Sequence, residues 1–213
     1  MLPVVAALTV TLSVSACTAT TSAPPAAPGV GPAPDAPPAA GIPIGPGPTN
    51  YTVQSQPAPG SCHVRSTPAG QPLPDPVCTP GAVNPKVTQS NLANTVCKSG
   101  YTKSIRPAES ITDAEKKANA QSYGYTGDPR QAEYDHLISL ELGGDPNDPQ
   151  NLWVEPPSPG HKTKDGVNNP KDQVENSLHS LICAGKVPLA QAQSAIATDW
   201  TAALATVGHP NGK

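Results

Sequence analysis

The chain has no basic surplus. Its 213 residues carry 13 Lys and Arg against 16 Asp and Glu, a formal net charge of −3. The basic field that accompanies tight, sequence-specific nucleic-acid recognition is therefore missing. That balance does not exclude an enzyme that draws local positive charge from a metal ion. Also missing is any C-x-x-C pair or Cys/His cluster, so structural zinc has no support. No internal repeat occurs, and no apolar run reaches membrane-spanning length. Between residues 18 and 60 charge itself nearly vanishes: Asp35 is the only charged side chain, beside twelve of the 29 prolines.

What is present divides into three parts. Residues 1–17, "MLPVVAALTVTLSVSAC", form an apolar run of signal-peptide length. The run ends in Val14-Ser15-Ala16-Cys17, which resembles the lipobox of bacterial lipoproteins. That resemblance implies cleavage before Cys17 and lipid on its sulfur and new amino group. Each buried methylene then contributes about 0.8 kcal/mol to membrane anchoring. A plain secretory signal is the alternative, and no Lys or Arg precedes the apolar core. Residues 18–60, rich in Pro, Ala and Gly, cannot bury enough surface to offset their ordering entropy and read as a disordered tether. Residues 61–213 remain for one compact domain, with 13 cationic against 15 acidic side chains.

Export places the cysteines in an oxidising compartment. With Cys17 set aside, Cys62, Cys78, Cys97 and Cys183 permit three pairings. The preferred pairs are Cys62–Cys78, closing a short Pro-rich loop, and Cys97–Cys183, tying the domain's start to a late helix.

Within the domain, "PKVTQ" and "YTKSIR" read as short strands, and helix formers predict a helix over 112–123. In "EYDHLISLEL", polar and apolar residues alternate as in a strand, with Asp135 and His136 on opposite faces. Gly143-Gly144 and "DPNDP" make turns, and "NLWVE" is a second strand. A helix then starts in "NNPKDQVENSLHSLICAGK", with Asn169 able to cap, Pro170 at the first position and Asp172 suited to the dipole. The closing stretch "VPLAQAQSAIATDWTAALATV" reads as one last helix.

The order of these parts resembles the HNH, or ββα-metal, nuclease motif, here "DHLISLELGG…NLW…NNPKDQVE". Residues from about 78 to 203 more broadly resemble a group of exported bacterial proteins carrying that motif. The implied fold is α+β: a ββα-metal hairpin-plus-helix core with additional packing helices, tied by disulfides. The implied activity is metal-dependent hydrolysis of phosphodiester bonds in DNA or RNA, outside the cytoplasm and with weak sequence selectivity. His136 would be the general base, since an imidazole can take a proton from water near neutral pH. Asp135 would bind a divalent cation, by default Mg2+, with Mn2+ or Zn2+ as alternatives. Asn151 would orient the His136 ring through its carbonyl. At the helix head Asn169 is the nearest match for a further metal ligand, with Asn168 and His161 as neighbouring candidates. Lys171, Glu175 and His179 share a helix face, so Glu175 or His179 could reach the ion and Lys171 could neutralise a phosphate. No protein partner is indicated; membrane contact would run through Cys17. The rival reading is a non-catalytic envelope lipoprotein that uses a degenerate HNH-like fold as a scaffold or binding module.

Overall fold

In the computed structural model, residues 41–161 and 169–212 are described; the signal segment, Cys17, residues 18–40 and Asn168 lie outside them. The fold is mixed α/β. Strands β1 (Arg65–Ser66) and β2 (Pro72–Leu73) form a minimal antiparallel pair. Helices α1 (Tyr101–Ile105) and α2 (Glu109–Ser122) follow. A second antiparallel pair joins β3 (Glu133–His136) to β4 (Leu152–Glu155). The chain ends with α3 (Pro170–Cys183), α4 (Leu189–Thr198) and α5 (Ala203–Thr206).

Two apolar cores hold these elements. The larger gathers Leu178, Leu181 and Ile182 of α3, Leu189 and Ile196 of α4, and Ile138 and Leu142 from the segment after β3. The smaller surrounds Trp153, which is fully buried and packs its ring at 5.9 Å, tilted, on Tyr123. Helix α2 meets the edge of β4 through Asn119, whose Oδ1 accepts the Val154 amide at 2.7 Å. The hairpin is thereby fixed between α2 on one side and α3 on the other.

The hairpin's register is Glu133 opposite Glu155, Asp135 opposite Trp153 and His136 opposite Leu152. Pairing stops at His136, so the longer strand expected through Leu142 is not formed. Its second half is instead a buried turn ending in a 3-10 segment, Leu140–Leu142. The reason is local: the Asn151 side chain takes both backbone groups of Ile138, as described below, and replaces the ladder. Leu137, Ile138, Leu140 and Leu142 are all buried, so the apparent alternation marked an apolar turn rather than a two-faced strand. Both glycines of the turn are required. Gly143 has φ of +74°, and a Cβ on Gly144 would stand 1.7 Å from the Ile138 carbonyl oxygen.

Three further expectations change. "PKVTQ" is a turn leading into a 3-10 segment, Gln89–Asn94, and "YTKSIR" is the helix α1. Tyr101 packs on the larger core, and that packing overrides the strand propensity of its neighbours. The last helix is two, because Asp199 leaves helical geometry and accepts the Thr201 amide at 2.9 Å. Residues 41–60, read as the end of the tether, are seated on the domain. Ile44 bridges Val83, and Tyr51 donates its hydroxyl proton to the Ile105 carbonyl. Backbone partners supply there what apolar side chains do not.

Cys62–Cys78 and Cys97–Cys183 are both closed, with sequence separations of 16 and 86. Disulfides indicate an oxidising, extracytoplasmic location. Among the described residues no helix is long and apolar enough to cross a membrane. On the chain-entropy account, losing the longer link costs about 1.5 kcal/mol more than losing the shorter. Urea unfolding of Cys97→Ser/Cys183→Ser beside Cys62→Ser/Cys78→Ser is expected to give that order. The reverse order would show that native packing, rather than loop closure, decides.

Candidate functional site

The candidate site forms where β3 stops. His136, its last residue, is buried, and its Nε2 lies 3.0 Å from the Pro146 carbonyl oxygen. A carbonyl only accepts, so Nε2 carries the proton and donates it. Nδ1 is left as the ring's proton acceptor. Burial, ahead of every other influence, pushes the imidazole down to about 4.

The expected role of Asn151 is corrected here. It does not touch His136. Its Oδ1 accepts the amides of Ile138 at 3.0 Å and Ala82 at 3.3 Å. Its Nδ2 donates to the carbonyls of Ile138 at 3.0 Å and Asp145 at 2.9 Å. Asn151 thus closes the 138–151 loop, and that loop brings the Pro146 carbonyl to His136. The ring is oriented by main chain, and Asn151 acts one step behind it.

Lys171 is corrected more sharply. Only 1% exposed, it cannot reach a substrate phosphate. Its ammonium donates to the His136 carbonyl at 2.8 Å and to Glu175, and it lies 2.7 Å from Asp135 Oδ2 as an ion pair. Burial alone would lower the lysine, yet Asp135, Glu175 and Glu155 together outweigh it and hold the ammonium charged. Glu175 is therefore tied to Lys171 rather than a free ligand, and burial pushes its carboxyl up to about 8. Burial also raises the neighbouring acids. Glu133 is pushed up to about 7, and Glu155, with Asp135 as second cause, goes well above the usual range. Like charges opposite one another in a sheet are unfavourable, and the cross-strand pairing of Glu133 with Glu155 adds to the upward shift of Glu155.

Asn169 stands at the head of α3, but its side chain makes no capping bond. Its Nδ2 reaches Glu133 Oε2 at 3.4 Å, and its Oδ1 is buried without a hydrogen-bond partner. An orphaned carbonyl oxygen beside the Asp135 cluster suits a hard cation. All donors here are oxygens, the chemistry of Mg2+ or Mn2+. Among the described residues, no three carboxylate or imidazole atoms of this cluster lie within 4.8 Å of one another. The set therefore does not fit zinc with three or four protein ligands, and an ion here would take few ligands from the protein.

His179 lies elsewhere. Its Nε2 lies 2.9 Å from the Val96 carbonyl oxygen, and the ring sits within 4.8 Å of the Cys97 and Cys183 sulfurs. Those three residues could hold a soft metal, but both cysteines are tied in the disulfide and offer no thiolate.

A cleft of about 440 Å³ opens on His136, lined also by Arg106, Glu109, Lys116, Glu133 and Tyr134. Arg106 is exposed and, among the described residues, makes no hydrogen bond or ion pair. It also borders a second, acidic pocket beside Asp172 and Glu175. Sequence reading missed Arg106 because "YTKSIR" was assigned to a strand. It missed Glu155 because only the register shows which acid faces Glu133.

No protein-family model, no curated protein and no solved structure matches the chain.

The His136 shift has a thermodynamic consequence. Between pH 4 and 6.5 the unfolded chain binds a proton that the folded ring refuses. Stability therefore rises with pH across that window and is fully present above it, by about 3 kcal/mol. The unfolding free energy of the wild type minus that of His136→Phe, from urea titrations, is expected to grow by that amount over the window. A difference independent of pH would mean that the ring is solvated.

Proposed function

We propose that the chain is a metal-dependent phosphodiesterase of HNH-like (ββα-metal) architecture, acting on DNA or RNA outside the cytoplasm. It would be lipid-anchored through Cys17 or secreted. The observation that carries this reading is the fixed tautomer of His136. A buried, neutral ring with Nε2 held by a carbonyl presents Nδ1 as a base, at a cleft that also holds Arg106.

In this reading Nδ1 of His136 takes the proton of the attacking water. The Pro146 carbonyl keeps the ring in that tautomer and stabilises the imidazolium that forms. Arg106 offers its planar donors to a phosphate, the task earlier given to Lys171. Lys171 instead holds Asp135 and the His136 main chain in place. Asp135 and Asn169 would hold the divalent cation, with Glu133 beside them. When bound, that ion supplies Lewis-acid stabilisation of charge on the phosphate and the leaving oxygen. A net charge of −3 suits weak, transient binding, since little phosphate backbone can be neutralised at once.

Two observations favour the scaffold alternative: burial that pushes His136 down to about 4 weakens it as a base, and Asp135 is already paired. The Lys171 ammonium already neutralises Asp135 and would compete with a second cation there.

Plasmid DNA and structured RNA incubated with the chain from residue 18 onward and Mg2+ or Mn2+ separate the readings. Hydrolysis is expected, with a loss of about 100-fold or more in His136→Ala and roughly 10- to 100-fold in Arg106→Ala. Cleavage untouched by His136→Ala would overturn the mechanism. Absence of cleavage with either ion would leave the scaffold reading.

A further inference from the structure

The proline-rich segment read as tether passes directly over the loop that holds His136. Gly45 donates its amide to the Val83 carbonyl at 2.9 Å, and Val83 returns one to Pro43 at 2.9 Å. Val83 in turn bridges Gly144, so strap, Val83 and catalytic loop lie side by side. Gly47 donates its amide to Asp145 Oδ2 at 2.6 Å. The other oxygen of that carboxylate accepts the amides of Asn147 and Asp148 at 3.0 and 2.9 Å. Asn147 Nδ2 then donates to the Thr52 carbonyl at 3.0 Å. Further on, Gln54 anchors the strap to α2 through its amide to Glu115 Oε1 at 2.7 Å. The two residues held by the strap, Asp145 and Asn147, are those on either side of Pro146.

We propose that residues 43–54 are a positioning strap for the general base: by fixing Asp145 and Asn147 they set the Pro146 carbonyl, and through it the ring of His136. The assignment rests on the hydrolytic reading for its catalytic consequence, but the strap's hold on the loop stands apart from it. The fit at Gly45 is close, since a Cβ there would stand 2.3 Å from Asp145 Oδ2 and 2.8 Å from Asp145 Cβ. Any side chain at that position must drive Asp145 away. Val53, between the strap's contacts, is exposed and presses on nothing in the loop. The N-terminal segment therefore does more than carry the domain: its last turns belong to the site.

The test uses the chain from residue 18 onward with Gly45→Val, Asn147→Ala and Val53→Ser. Hydrogen exchange is read at the Asn147 and Asp148 amides and at the His136 Nε2 proton, beside amides of α3 and α4. Turnover is read as kcat and KM. Asn147→Ala keeps the backbone bond to Asp145 and removes the side chain's contacts with Thr52 and with Glu115, itself the strap's anchor on α2, so it stands in if Gly45→Val does not fold. Expected is exchange at least tenfold faster in the loop and at the ring with α3 and α4 unchanged. Expected with it is a fall in kcat at nearly constant KM, with Val53→Ser like the wild type. Loop and ring exchange unchanged in Asn147→Ala overturns the proposal, as does faster exchange spread evenly over α3 and α4. If the chain hydrolyses nothing yet exchange rises only at the loop and ring, the strap stands and the hydrolytic reading fails.

Discussion

The site depends on one buried carboxamide. Asn151, completely buried, uses both ends of its side chain on backbone, binding Ile138 twice, Asp145 and Ala82. Backbone groups buried without partners are costly, at about 1–3 kcal/mol each. Removing this side chain would orphan four of them at once. With it in place, β3 ends at His136, the chain turns through Gly143-Gly144, and the Pro146 carbonyl lands on the imidazole. The sharpness of the turn explains the missing Cβ at Gly144, where Ile138 leaves no room. The loop is thereby held by side-chain bonds where a strand would use a ladder.

Electrostatics completes what Asn151 begins. Lys171 sits where helix α3 meets the hairpin, and its ammonium joins Asp135, Glu175 and the His136 carbonyl. Removing one partner from such a buried cluster leaves charge uncompensated, which is strongly unfavourable. The lysine therefore fixes the Asp135–His136 step from behind. The same burial raises Glu133 and Glu155 above the usual carboxylate range. His136 also lines a cleft with two cations, exposed Arg106 and half-buried Lys116, the latter donating to the Ala132 carbonyl. Buried Lys171 and exposed Arg106 divide the work: the first holds the site together and the second faces the cleft.

Much of this was legible in the sequence. Proline at the first position marked the start of α3 correctly, and the two disulfides are the preferred one of three pairings that the sequence alone does not separate. Asp135, His136, Asn151 and Asn169 were grouped through the resemblance to the HNH motif, Asn169 as the nearest match at the helix head. Their division of labour was not legible, because it depends on which backbone carbonyl each side chain meets. Asn169 offered two uses for one oxygen, and only the structure shows that the cap is not made. Lys171 was read as a group able to neutralise a phosphate, and nothing in the periodicity of α3 signals a fully buried ammonium. Residues 41–60 failed for a different reason. Composition measures how little apolar surface a segment can bury, and this one is held by backbone hydrogen bonds instead.

The claim on which the account turns is that His136 is neutral, protonated on Nε2 and open at Nδ1. A nitrogen–proton correlation spectrum of the histidine rings at neutral pH reads this directly. The structure requires an Nε2–H tautomer for His136, with a slowly exchanging ring proton and a bare Nδ1. An Nδ1–H tautomer, or a doubly protonated ring at that pH, would contradict it.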